Sequence, residues 1–356
     1  MVILGIETSC DETAASVVED GRKVLSHVLA TSSDMHAKTG GIIPEVAARE
    51  QVKAILPVIS EALLQAFDHK TSNIQHLNSK IDAIAVTVGP GLIGSLLVGV
   101  ETARTLAWVW NKPIVPVNHL VGHIYANFIR EMPNIKLQIP SDIRFPALAL
   151  VVSGGHTDLV LIQEHGPIKW IGGTRDDASG EAFDKTARLL GLSYPGGPAI
   201  AAEAAKLKIE NSKLKIFPRP MIGEDNFDWS FSGLKTAVAR EVKFNPTSLK
   251  LRRAELAAQI QEAIVDVLVT KTIRAVKKFR PKSLLLGGGV AANVRLRERF
   301  ELEIRNLDLG INFFVPPPPL CTDNASYIAA AAYYNYKPID WRKITVLPEL
   351  TIAGEI

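Results

Sequence analysis

The chain has 356 residues, 47% hydrophobic and 22% charged, a balance that excludes a disordered or coiled-coil protein and predicts two packed lobes, each with its own core. A net charge of +3 neither demands nor opposes a nucleic-acid partner, so local patches must decide. The two cysteines, Cys10 and Cys321, supply no disulfide framework and suit a reducing cytoplasm.

Val2 to Ser9 is an apolar, β-branched run; a CDET turn and a second strand from Ala14 to Val18 complete a predicted hairpin. Glu7 and Asp11 fall where a signal peptide needs an uninterrupted apolar core, so no export signal is expected. Pro44 to Phe67 has helical periodicity with Pro44 near its start, and Ile81 to Val88 reads as a buried strand. The uncharged stretch Ala83 to Val100 is broken by Gly89-Pro90-Gly91, which predicts strand, turn and helix (Gly91 to Trp110) in place of a membrane span. Pro113 to Val117 reads as a strand and His119 to Arg130 as a helix. This alternation predicts parallel sheet packing.

Pro146 to Val152, a Ser153-Gly154-Gly155-His156-Thr157 turn and Asp158 to Gln163 repeat the opening hairpin, an internal echo that suggests two related lobes. Helices are predicted at Gly180 to Leu190, Pro198 to Leu207, Phe231 to Val242 and Leu251 to Phe279. A strand at Ser283 to Leu286 runs into Gly287-Gly288-Gly289 and a helix from about Ala291. The proline run Pro316 to Pro319 leads to a last helix around Asn324 to Tyr334. Segments 71–80, 131–145 and 205–215 read as surface insertions.

The most informative pair is His119 and His123 in NHLVGH, because residues four apart on a helix share a face and can chelate one metal ion. Asp323, in CTDNAS at the mouth of the last helix, is a candidate third ligand; a His/His/carboxylate set with open positions suits Fe(II) or Zn(II). The alternative is that both histidines are ordinary polar helix residues. A metallopeptidase is disfavoured, since the HExxH general base is replaced by Leu120.

The turn from Ser153 to Thr157 offers glycines that let backbone amides approach a phosphate or carboxylate, or it is a simple hairpin turn. Gly287-Gly288-Gly289 sits at the carboxyl end of a strand, where open α/β sheets bind ligands, yet neither GxGxxG nor a P-loop is present. Asn293 either caps a helix or bonds an adenine or ribose; Gly196-Gly197 permits a tight turn or close ligand approach. Asp184, near a helix start, offsets the helix dipole or binds ligand hydroxyls. Asp11 and Glu12 are weak catalytic candidates in the first turn. Lys271, Arg274, Lys277, Lys278, Arg280 and Lys282 form the densest basic run, either a solvated face or an RNA contact without interleaved aromatic residues.

Taken together, LGIETSCDET, GGIIPE, GPGLIGSLLVG, NHLVGH, LVVSGGHT, GEAFDKTARLLGL with YPGG, FPRP, WSFSGLKT, GGGVAAN and CTDN resemble the TsaD family in order, from residue 4 to about residue 330. The resemblance implies an α/β, actin-like ATPase (ASKHA, ribonuclease H-like) fold with two related lobes and a nucleotide cleft between them. The lobes are expected at 1–140, with 324–356 packing back on it, and at 141–323. The resemblance also implies transfer of a threonylcarbamoyl group from threonylcarbamoyl-AMP to N6 of adenosine 37 in tRNA. It implies one divalent metal, iron or zinc, on His119, His123 and Asp323, and an adenylate held by Val151, Val152, Ser153, Gly154, Gly155, Asp184, Gly197 and Asn293. It further implies a TsaB-like paralogue and a TsaE-like ATPase as partners, a cytoplasmic location and no membrane contact. A kinase of the same fold is the runner-up, disfavoured because such kinases bind Mg²⁺ through carboxylates and phosphates without paired imidazoles.

Overall fold

The computed structural model describes residues 1–32, 35–36, 41–67, 74–133, 135, 142–207, 217–244 and 249–356. In chain order come β1 (Val2–Glu7), β2 (Glu12–Glu19), β3 (Lys23–Thr31), α1 (Pro44–Phe67), β4 (Ala83–Gly89), α2 (Ile93–Trp110), β5 (Ile114–Asn118) and α3 (His119–Tyr125). Next are β6 (Ala147–Val152), β7 (Thr157–Ile162), β8 (Ile168–Gly173), α4 (Ser179–Leu189), α5 (Gly196–Ala204), α6 (Ser232–Phe244) and α7 (Leu249–Phe279). The chain closes with β9 (Ser283–Gly287), α8 (Val294–Leu307), β10 (Asn312–Phe314), α9 (Pro318–Cys321) and α10 (Ser326–Tyr334).

Contacts group the residues into two units, the first comprising Met1–Asp142, Glu164–Ile168 and Pro316–Ile356, the second Ile143–Gln163 and Lys169–Val315. Asp323 therefore lies in the unit that holds the two histidines. The first unit contains a sheet of order β3-β2-β1-β4-β5, in which β1 pairs antiparallel with β2 and parallel with β4. The second contains β10-β9-β6-β7-β8, with β6 antiparallel to β7 and parallel to β9. The two sheets share one strand order, the structural basis of the echo between the opening hairpin and residues 146–163. Each sheet is mixed, because a hairpin precedes the first crossover; the expected parallel packing is confined to β1-β4-β5 and β6-β9-β10.

Strand alternation sorts the side chains of the first sheet. Leu4, Ile6, Val86 and Val88 face a core built with Ile55, Ile59 and Leu63 of α1 and Val100 and Ala103 of α2. Glu7 and Thr87 belong to the opposite set, on the face where α10 packs. Gly5 makes that packing close: a Cβ there would stand 2.3 Å from the Ala325 carbonyl oxygen. Coverage on both faces explains why these strands read as continuous apolar runs.

Three strands escape the sequence reading. β3 alternates apolar residues with Ser26 and His27 at a sheet edge, β8 carries Lys169 and Trp170, and β10 is three residues long. The helix expected to reach Arg130 ends at Tyr125 and continues as a 3-10 turn, Ala126–Phe128, because the chain is then drawn to the sheet edge: Arg130 N donates to Arg22 O, and Val24 N to Glu131 O. Within the expected insertion at 71–80, Ile74–Lys80 is a 3-10 helix whose Leu77 enters the core. Residues 71–73, 134, 136–141 and 208–215 of the three insertions lie outside the described residues.

The basic run is only partly a surface. Lys271 is buried, its amine bonded to Asn226 Oδ1 (2.9 Å) and Asp228 O (2.5 Å), and Arg274 holds the carbonyls of Ile222 and Glu224. These cations pin the segment before α6 onto α7. Lys277, Lys278, Arg280 and Lys282 stay exposed.

Candidate functional site

The β5–α3 junction presents the first ligand candidates. Asn118 ends the strand and caps the helix, its Oδ1 accepting from Leu120 N at 2.9 Å, so His119 and His123 occupy the first and second turns of α3 on one face. Asp323, between α9 and α10, reaches both: its Oδ1 lies 3.6 Å from His119 Nε2 and 3.5 Å from His123 Nε2. Ligand bonds of about 2.1 Å in a tetrahedron give edges of roughly 3.4 Å, which the two carboxylate–imidazole spacings match, and all three ligand atoms lie within 4.8 Å of one another, within reach of one divalent ion.

Unsatisfied atoms support that fit. His123 is fully buried and, among the described residues, neither ring nitrogen meets a partner with hydrogen-bond geometry, the Asp323 carboxylate standing 3.5 Å from Nε2; nor does the buried Tyr327 hydroxyl, whose ring centroid is 4.8 Å from that of His123. Buried polar atoms without partners are rare, and a cation between the imidazoles and the carboxylate would engage His123 Nε2. Without metal, burial favours a neutral His119, but Glu7 and Asp323 outweigh burial and hold the ring up at about 9. Burial pushes His123 down. Burial opposes ionisation of Asp323 too, yet His119 and His123 keep its carboxyl at about 2. The metal-free site thus holds an imidazolium-carboxylate pair beside a neutral imidazole.

The acidic turn after β1 is held from several sides. Gln51 of α1 donates to the carbonyls of Cys10 (3.1 Å) and Glu12 (2.8 Å), Ser95 of α2 to Cys10 O (2.8 Å), and Ser32 to Asp11 O (3.0 Å). Burial, followed by the charges of Asp323 and Asp11, pushes Glu12 up to about 10. Glu12 is a proton donor at neutral pH, which removes it as a simple general base. Burial, then Asp323, raises Cys10 as well, so its sulfur stays a thiol.

In the second unit, seven glycines in and around the glycine motifs are of two kinds. Gly288 has φ 90°, and a Cβ there would meet Val152 O at 2.3 Å; Cβ atoms at Gly180 and Gly196 would meet Ser153 O and Asp184 Cα, each at 2.5 Å. These three bring backbones together. Gly154, Gly155, Gly197 and Gly289 have open space where a Cβ would be, and their φ values do not require glycine. The Ser153–Thr157 turn is closed by Ser153 N to His156 O (2.9 Å) and docked on α4 by Gly180 N to Ser153 O (3.1 Å). Val151 and Val152 are buried and offer only backbone. Asp184 accepts from Gly196 N (2.6 Å), tying α4 to α5, and burial raises its pKa. Asn293 is a cap: Oδ1 accepts from Leu296 N (3.0 Å) and Nδ2 donates to Gln261 (3.0 Å).

A family model described as "TsaD: tRNA N6-adenosine threonylcarbamoyltransferase" matches residues 23–330. The chain belongs to the TsaD family. A tRNA N6-adenosine threonylcarbamoyltransferase of Thermomicrobium roseum is 48% identical, covering 94% of this chain and 92% of the relative. The Bacillus subtilis enzyme of that name is 48% identical over 93% of this chain and 89% of its own. Two solved structures share the fold: component A of (R)-2-hydroxyglutaryl-CoA dehydratase from Acidaminococcus fermentans (TM-score 0.50, 15% identity, 94% of this chain and 98% of that one) and full-length HypF (TM-score 0.53, 11% identity, 94% and 46%). This TsaD-family chain has the α/β actin-like ATPase fold, with the duplicated sheet topology described above.

Three residues around the histidines were invisible in the sequence. Glu7, Thr87 and Tyr327 each sit in an apolar run, and only strand alternation and the packing of α10 bring them to His119 and His123. A charged residue inside an otherwise apolar strand was the available signal for Glu7.

Proposed function

We propose that this chain transfers the threonylcarbamoyl group of threonylcarbamoyl-AMP to the N6 amine of adenosine 37 in tRNAs reading codons that begin with A, forming t6A and releasing AMP. The observation that carries the reading is the His119, His123 and Asp323 set with metal-ligand spacing in a chain of this family. We propose Fe(2+), or else Zn(2+), as the resident ion, which would supply Lewis acidity toward an oxygen of the substrate.

The chain's own groups account for the remaining needs. The open glycines Gly154, Gly155, Gly197 and Gly289 leave backbone near Ser153 accessible to an anionic adenylate, and Asp184 offers its second oxygen to ligand hydroxyls. Attack by an aromatic amine on a mixed anhydride needs a proton acceptor. Asp11 is the candidate for that acceptor, and the protonated Glu12 a candidate donor to the leaving charge.

A TsaB-like paralogue and a TsaE-like ATPase are the proposed protein partners. Exposed Val52 and Leu56 on α1, with Ile93 and Leu97 on α2, support a protein-protein surface on the first unit. A cytoplasmic location is proposed from the tRNA-modifying activity of the family; no helix among the described residues is long and apolar enough to cross a membrane.

The test is reconstitution with both partners, tRNA, threonine, bicarbonate and ATP, reading t6A by mass spectrometry of digested tRNA. The expected result is t6A that disappears, together with the metal that co-purifies, in His119→Ala and Asp323→Ala. Sugar phosphorylation without modified adenosine would instead favour a kinase.

A further inference from the structure

Glu7 is a fully buried carboxylate near the end of the central strand of its sheet, a position where an unpaired charge is costly. Three groups surround its two oxygens. Oε1 accepts from Ser9 N at 2.6 Å; Oε2 accepts from the Thr87 hydroxyl at 2.7 Å and lies 3.0 Å from His119 Nδ1. β1 and β4 pair parallel, and alternation turns Glu7 and Thr87 to the same face, so the sheet itself aims the carboxylate at the imidazole.

We infer that Glu7 is a positioning residue of the metal centre: by accepting the Nδ1–H of His119 it fixes the tautomer whose Nε2 lone pair faces His123 and Asp323. This rests on the reading of those three residues as metal ligands. The geometry gives the mechanism. His119 Nε2 lies 3.6 Å from Asp323 Oδ1, and it can bind a cation only if the ring's proton stays on Nδ1. A carboxylate enforces that choice, since it only accepts, and it raises the basicity of the ligating nitrogen. Ser9 Oγ, at 3.2 Å from the same Nδ1, can donate or accept and enforces nothing by itself. Thr87 and the Ser9 amide occupy two of the other lone pairs of Glu7, one on each oxygen, and stop the carboxylate from rotating away.

Glu7→Gln keeps the volume but confronts the fixed donors with an amide. If the amide nitrogen faces Ser9 N, two donors collide; if it faces His119, the ring shifts its proton to Nε2, where the ion would bind. The experiment titrates Zn(2+) and Fe(2+) into the metal-free chain and into Glu7→Gln, His119→Ala and the double variant, with circular dichroism melts as the folding control. The expected result is about a 10- to 100-fold weaker metal dissociation constant in Glu7→Gln. In the His119→Ala background Glu7→Gln should add no further loss, which a merely structural Glu7 would not produce. Equal losses in both backgrounds, or unchanged affinity in a folded Glu7→Gln, overturn the proposal while leaving the metal reading intact. Unchanged affinity in His119→Ala overturns the metal reading itself. Should Glu7→Gln not fold, 15N NMR of the unaltered chain decides: His119 is expected to carry its proton on Nδ1 with metal bound, and a bare Nδ1 refutes the inference.

Discussion

The imidazolium-carboxylate pair of the metal-free site makes a pH prediction of definite sign. His119 titrates at about 9 in the folded chain against about 6.5 when unfolded, so the folded state holds its proton more tightly. The associated stability is complete below pH 6.5 and is lost as pH rises through 9. The shift of roughly 2.5 units corresponds to about 3 kcal/mol for this almost fully buried ring. The measurement is amide exchange at Leu4 and Ile6 of β1 in chelator-treated protein between pH 6.5 and 9.5, with His119→Ala as the reference that lacks this titration. Metal reverses the dependence. Binding must displace the Nε2 proton, so below pH 9 the apparent affinity should strengthen about tenfold per pH unit, with one proton released. A parent chain whose pH profile parallels that of His119→Ala, or proton-neutral metal uptake, would refute the reasoning.

Asp176→Ala should fray α6, because Asp176 accepts from Phe231 N (2.8 Å), Ser230 Oγ (2.5 Å) and Ser232 Oγ (2.6 Å) at the helix start; about 1–2 kcal/mol is expected, read from the melting curve. Gly122→Ala should cost about 1–3 kcal/mol by overpacking, since the new Cβ would stand 2.6 Å from Tyr327 Cδ2, and it should weaken metal binding by displacing α3; calorimetry and metal titration check both. Lys271→Met leaves Asp228 O without its donor and Asn226 Oδ1 with only that of Asp228 N, and should destabilise by about 1–3 kcal/mol while tRNA affinity, measured by filter binding, stays unchanged.

Legibility in the sequence followed the range of the interaction involved. α1 was readable from end to end because Pro44 opens it and its apolar period is local. The histidine pair was readable because four-residue spacing is a helix property, and Asp323 because it stands in a polar break before an apolar helix. Glu7 was not, since its role depends on Thr87 in another strand and on a side-chain alternation whose outcome only the strand pairing fixes. Asn293 was readable as an alternative only; its amide caps α8 and donates to Gln261, which uses one lone pair and one N–H. The basic run misled for a related reason: burial of Lys271 depends on a segment more than forty residues earlier folding over α7.

These two kinds of glycine in the second unit place the demands of folding and of the proposed adenylate contact at different positions, a separation visible to heredity. An alanine at Gly180, Gly196 or Gly288 collides with backbone, so its lesion follows the protein into every assay and lowers its abundance. An alanine at Gly154, Gly155, Gly197 or Gly289 meets only space and leaves a well-folded, plentiful chain whose sole defect appears when something must approach that backbone. A survey of variants that scored abundance and activity separately would sort these seven positions into two phenotypes, although the genetic change is the same at each.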